Sequence, residues 1–196
     1  MAQSEPPASS ESPVIELRIS TAKRTFQLGE TIKVKLEITN RGHKPIFVCR
    51  PSAFADNTGG ACTLHLWLEN GKGKRSERTS YGVADCFSPP PKEISSEEFM
   101  REVLWTWFVQ QPGETFSVIY EIDGSADSWA GRPGHYRLHG LFGSLGMEYV
   151  TMCHALGLYK ERLEKLPFKS WSGTVYSNEI PIVILPKGKV SPQKLD

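Results

Sequence analysis

Cysteine and histidine adjoin once in this 196-residue chain, at Cys153-His154. A nucleophile and its base must face one another to share a proton. These two fall in a stretch whose apolar spacing reads as helix, where consecutive side chains diverge by about 100°. No dyad is expected there. Ser170-Trp171-Ser172-Gly173 offers hydroxyls, but it lacks the strand-to-helix setting and flanking glycine of a nucleophile elbow. Asp56, Asp85, Asp123 and Asp127 lie in loop-like stretches without an Asp-x-Asp-x-Asp-Gly pattern, so at most Asp123 and Asp127 offer an adventitious cation site. His135 and His139 flank Arg137 on one face of a strand, about 13 Å apart at about 3.3 Å per residue, too far for one metal ion. The expectation is a non-enzymatic chain with no catalytic, cofactor-binding or metal-ligating residues.

The cysteines carry a different chemistry. Cys49, Cys62, Cys86 and Cys153 are even in number, widely spaced and form no Cys-x-x-Cys pair. Such a set suits two disulfides in an oxidising compartment, with Cys49–Cys62 and Cys86–Cys153 the preferred pairing. Four buried thiols in a cytosolic protein are the alternative. The spacings match no zinc finger or ribbon.

The elements that must position these groups are mostly strands. Nine Phe, six Tyr and five Trp supply a core, and 17 Gly with 14 Pro suit a turn-rich all-β chain. The 23 basic and 22 acidic residues leave a formal charge of +1, which argues against a nucleic-acid partner. The longest apolar run is too short for a transmembrane helix. Residues 1–13 read as a disordered leader and 187–196 as a flexible tail. Met1-Ala2-Gln3-Ser4 resembles the surroundings of a signal-peptidase site. A secreted, periplasmic or cell-envelope setting is therefore expected if the start is truncated, and a cytoplasmic one otherwise.

Residues 14–186 read as one antiparallel β-sandwich. Ile32, Val34, Leu36 and Ile38 alternate with Thr31, Lys33, Lys35 and Glu37, the signature of a half-buried strand. Strands are also expected at 14–20, 45–49, 62–69, 104–110, 116–122, 135–139 and 180–185. In the strand at 62–69 the even positions point inward and His65 and Trp67 outward, making those two a candidate exposed surface. Residues 76–93 read as a long loop. Ser95 and Glu98 form a capping box for a short helix containing Phe99 and Val103. Leu145, Tyr149, Met152, Leu156, Tyr159, Leu163 and Leu166 trace an amphipathic helix stopped by Pro167. The sandwich thus carries insertions at about 76–103 and 141–170.

Three pieces in order carry a family resemblance. They are Phe26-x-Leu28-Gly29-Glu30 leading to Ile38-Thr39-Asn40, then Gln111-Pro112-Gly113-Glu114-Thr115-Phe116, then Pro133-Gly134-His135-Tyr136. Together they resemble the immunoglobulin-like β-sandwich of the bacterial intracellular proteinase inhibitor family, over residues 14–140 and the last strand. In such sandwiches a Tyr near the start of the penultimate strand ties its hydroxyl back to the backbone. The resemblance implies an immunoglobulin-like fold. It also implies a possible inhibitory activity, for which Phe87-Ser88-Pro89-Pro90, anchored at Cys86, is the candidate interaction loop.

The leading functional expectation is a binding or structural module of a bacterial envelope or secreted protein, a monomer or weak oligomer. Its partner would be a protein or glycan held by end loops or an exposed sheet. A proteinase inhibitor acting through residues 86–91 is the alternative.

Overall fold

The alternation at 32–38 becomes the centre of the architecture. In the computed structural model, which describes residues 14–50, 62–83, 95–122, 132–144, 146 and 160–188, β3 (Ile32–Asn40) buries Ile32, Val34, Leu36 and Ile38 at 3% exposure or less. It pairs antiparallel with β1 (Ile15–Thr21) on one side and β8 (Thr115–Ile122) on the other, forming sheet A. Sheet B runs β2 (Thr25–Gln27), β11 (Ile180–Leu185), β9 (Gly134–Ser144), β5 (Cys62–Asn70), β6 (Arg75–Val83). A two-stranded ribbon of β4 (Ile46–Cys49) and β7 (Trp107–Gln110) completes the strands of the two sheets and their link, with β10 (Gly173–Tyr176) extending the same edge of β9 that β11 occupies.

The core lies between the sheets. Leu17, Val34, Leu36 and Ile38 from sheet A cluster with Leu64, Leu66, Leu68, Leu138, Phe142 and Ile182 from sheet B. Each such side chain contributes about 1.5–3 kcal/mol by leaving water. The N-terminal segment serves both sheets: β1 belongs to sheet A, and β2, after the break at 22–24, pairs in parallel with β11 of sheet B, a switch typical of sandwich corners. Gly29 turns the chain back into β3 with φ 92°, a value open to glycine at little cost.

This strand order is that of an immunoglobulin-like antiparallel β-sandwich, with β1-β3-β8 facing β6-β5-β9-β11. Tyr136, two residues into β9, donates its hydroxyl to Arg132 O at 2.8 Å, the tyrosine corner expected at that place. Asn178, between β10 and β11, accepts from Ile19 N at 2.9 Å and donates to Ile19 O at 3.1 Å. Its amide thereby ties the edge of sheet A to sheet B. Asn40 and Gln110, both fully buried, lock β3 to the ribbon. Asn40 Nδ2 donates to Gln110 O and Lys44 O, and Gln110 Nε2 donates to Ile38 O and Glu114 O, all at 2.7–2.9 Å.

Three expectations change. Residues 75–83 form β6, an edge strand, where a loop was expected from 76. Its sequence, Arg-Ser-Glu-Arg-Thr-Ser-Tyr-Gly-Val, is too polar to show a period, and a bulge at His65/Leu66 shifts its register. Pairing there rests on backbone hydrogen bonds, which leave no mark on composition. The capping box forms as expected, with Ser95 N to Glu98 Oε2 at 2.8 Å and Glu98 N to Ser95 Oγ at 3.1 Å. However, α1 (Ser96–Thr106) continues through residues 104–106 before β7 begins. An established helix adds a hydrogen bond per residue, and this outweighs the strand preference of aromatics. Finally, β9 runs on to Ser144, so residues 141–144 belong to the sheet. Of the amphipathic helix expected at 145–166, the described part is α2 (Lys160–Glu164), while 147–159 lie outside the described residues.

Candidate interaction face

The outer surface of sheet B is built rung by rung. Every second residue of β5, β9 and β10 points away from the core, so the register fixes which side chains stand together. One rung sets Thr63 and Thr174 on either side of Gly143, and the next sets His65 and Tyr176 on either side of Leu141. The third pairs Trp67 with His139, and the fourth Glu69 with Arg137.

The first two rungs form a shallow trough along β9. Its floor is Gly143 and the half-buried Leu141; a Cβ at position 143 would stand 3.0 Å from Thr63 Oγ1 and 3.7 Å from Thr174 Oγ1. Hydroxyls therefore line one end. At the other, His65 is exposed and Tyr176 is 66% exposed, an unusual position for so large a ring.

The lower two rungs close into a circuit. Trp67 and His139 stack with centroids 5.1 Å apart and planes 6° from parallel. Because β9 and β6 flank β5 on opposite sides, Arg75 reaches Trp67 from the other direction, its guanidinium carbon 5.3 Å from the ring centroid. Glu69 then joins Arg75 at 3.4 Å and Arg137 at 2.9 Å. Glu179 lies 3.7 Å from both Arg137 and His139 Nδ1. Trp67 Nε1 and His139 Nε2 are buried and find no hydrogen-bond partner among the described residues.

This corrects the expected surface in part. His65 is exposed, but Trp67 is only 9% exposed. Its cover among the described residues is His139 of β9 together with Arg75 of β6. His139 is correspondingly half-buried, while His135 and Arg137 are exposed on the same strand. Leu141, Gly143, Thr174 and Tyr176 were not singled out by the sequence, since the strand containing Tyr176 is only four residues long.

The remaining sequence candidates divide. Cys49 is fully buried on β4. The side chain of Cys62, and Cys86 and Cys153, lie outside the described residues, as do Phe87, Ser88, Pro89 and Pro90, Cys153-His154, and Asp123 with Asp127. Ser170 sits beside β4 in a parallel bridge to Phe47, and Trp171 stacks on Phe142 at 5.5 Å; neither has the setting of a nucleophile elbow. Among the described residues no group of three or more His, Cys, Asp or Glu is placed to hold a metal ion. No helix among them is long and apolar enough to cross a membrane.

No protein-family model matches the chain, and no curated protein matches it. Among solved structures it is similar to the sporulation control protein Spo0M of Bacillus subtilis, at 9% identity and TM-score 0.42, over 87% of this chain and 49% of that one. It is also similar to a β-glucosidase of Listeria innocua, at 12% identity and TM-score 0.40, over 88% of this chain and 16% of that one. A third likeness is to the CARDB domain of the PF1109 protein of Pyrococcus furiosus, solved with two metal ions, at 8% identity and TM-score 0.39, over 89% and 90% of the two chains. The chain thus spans about half of the first protein and a small part of the second. The fold assignment rests on the strand order and registers above, not on these likenesses.

Proposed function

We propose that the chain is a single-domain, non-enzymatic binding module that takes its partner on the outer face of sheet B. The observation that carries this reading is Tyr176, 66% exposed on a regular rung beside Leu141 and opposite His65. A large aromatic held open by a rigid sheet presents apolar area and a hydroxyl without an ordering cost on binding. The setting we propose is the envelope or the secreted fraction, which an even set of four widely spaced cysteines suits.

The test compares wild type with Tyr176→Ser and with Ile119→Ser, which alters an equally open residue (59% exposed) on sheet A. Each protein is immobilised and challenged with a panel of soluble glycans and extracellular protein fractions. Retention lost with Tyr176→Ser and kept with Ile119→Ser is the expected result. Loss with Ile119→Ser alone, or no retention by any of the three, overturns the reading.

A further inference from the structure

The two rungs of the trough carry no Asp, Glu, Lys or Arg. β9 and β10 supply Gly143, Leu141, Thr174 and Tyr176, and β6 places Gly82 and Ser80 at the register positions of Thr63 and His65. The fixed charges of the face stand on the rungs below, where Arg75 and Arg137 pair with Glu69 and Glu179. The polar groups of the trough are of another kind. A Cβ built on Gly143 would lie 3.0 Å from Thr63 Oγ1 and 3.7 Å from Thr174 Oγ1, so hydroxyls from the strands on either side of β9 converge on one place above the glycine. Neither hydroxyl has a hydrogen-bond partner among the described residues.

Resting on the binding face proposed above, we propose that the trough seats an uncharged polysaccharide. A charged partner is selected by charges of opposite sign, and these rungs hold no fixed charge to select one. Two converging hydroxyls, each able to donate and to accept, match the hydroxyl groups of a sugar. The rung of Tyr176 stands about 7 Å along β9 from them, at about 3.4 Å per residue. One sugar ring can therefore lie with its C–H face on the open phenol while its neighbour in the polymer reaches the threonines. A peptide has a poorer fit. β5 and β9 have strand neighbours on both sides, so a peptide lying over them has no strand edge to pair with.

Biolayer interferometry on the immobilised full chain tests this with hydroxyethyl cellulose, galactomannan, dextran and polygalacturonate in turn, at about 0.05 M and about 0.5 M salt. Unchanged far-ultraviolet circular dichroism checks that each variant is folded. At least one of the three uncharged polymers is expected to bind, with equal affinity at the two salt concentrations, and polygalacturonate more weakly. Tyr176→Ser should abolish that binding. Thr63→Val combined with Thr174→Val keeps the shape of both side chains and removes the hydroxyls, and it should weaken binding about tenfold. Binding by polygalacturonate as tight or tighter, or binding lost at the higher salt, overturns the uncharged ligand while leaving the face in place, provided Tyr176→Ser still abolishes it. Full affinity in the double threonine variant overturns the hydroxyl seat. Binding untouched by Tyr176→Ser overturns the face as well. No binding of any uncharged polymer overturns the inference, and the panel experiment then decides the face independently.

Discussion

Trp67 and His139 lie almost parallel, 5.1 Å apart, on adjacent strands of sheet B, and each buries a ring nitrogen that has no hydrogen-bond partner among the described residues. The stack gains from ring contact while two polar atoms forgo water. Aromatic pairs contribute about 0.5–1.5 kcal/mol beyond burial, and an unsatisfied buried polar atom costs about 1–3 kcal/mol. Apolar replacement of the imidazole should therefore separate the two effects. His139→Ala is expected to destabilise by about 1–2 kcal/mol in denaturant unfolding. His139→Phe should be neutral or stabilising, because it keeps the stack and removes the orphaned Nε2. Equal losses for the two variants would refute this account of the pair.

Asn178 ties the sheets through both ends of its amide, to Ile19 N and Ile19 O. Asn178→Ala removes two hydrogen bonds, each contributing about 1 kcal/mol net, so a loss of about 2 kcal/mol is expected. Hydrogen exchange at the Ile19 amide should accelerate more than at Leu17, whose backbone is not bound by Asn178. Uniform acceleration along β1 would contradict a local tie.

Tyr136→Phe deletes the hydroxyl bond to Arg132 O and little else. The expected loss is about 0.5–1.5 kcal/mol, with ligand binding unchanged because this ring edge lies at the far end of β9 from the trough. A calorimetric melt of the purified variant is the check.

Glu16 is hydrogen-bonded by Arg18 and also pairs with Arg41, and these contacts hold its carboxyl below the ordinary range. A depressed carboxylate pKa contributes stability that is present at neutral pH and lost as the pH falls through the folded-state value. The Glu16 side chain is partly exposed, at 29%, and both arginines are open to solvent, so screening keeps the contribution small. Glu16→Gln should flatten a small part of the acid limb of stability against pH and leave the neutral-to-basic limb unchanged. A change confined to the basic limb would show the sign to be wrong.

The parts of the fold legible in the sequence are those in which side chains report the backbone. The alternation from Ile32 to Ile38, the Ser95–Glu98 capping box and the Pro133-Gly134-His135-Tyr136 corner each encode their geometry locally. β6 was not legible, since an edge strand of Ser, Glu, Arg and Thr needs only its backbone to pair. For the candidate site, His65 was legible as an outward residue from strand alternation. The cover over Trp67 was not, because it depends on a register that brings His139 from a distant strand. Tyr176 was also missed, as the four residues from Gly173 to Tyr176 give too short a period to separate inward from outward. What could have found it is the match between two glycine-bearing stretches, 140–143 and 173–176, that share an edge.

The central claim is that sheet B's outer face meets the partner, and a hydrogen-exchange footprint tests it most directly. Exchange is compared for the full chain with and without a saturating ligand retained from the panel of soluble glycans and extracellular protein fractions. The account predicts slowed exchange around Thr63–Trp67, His139–Gly143 and Thr174–Tyr176, with no change around Ile119. Slowing at β8 and β3 with sheet B unchanged would contradict it.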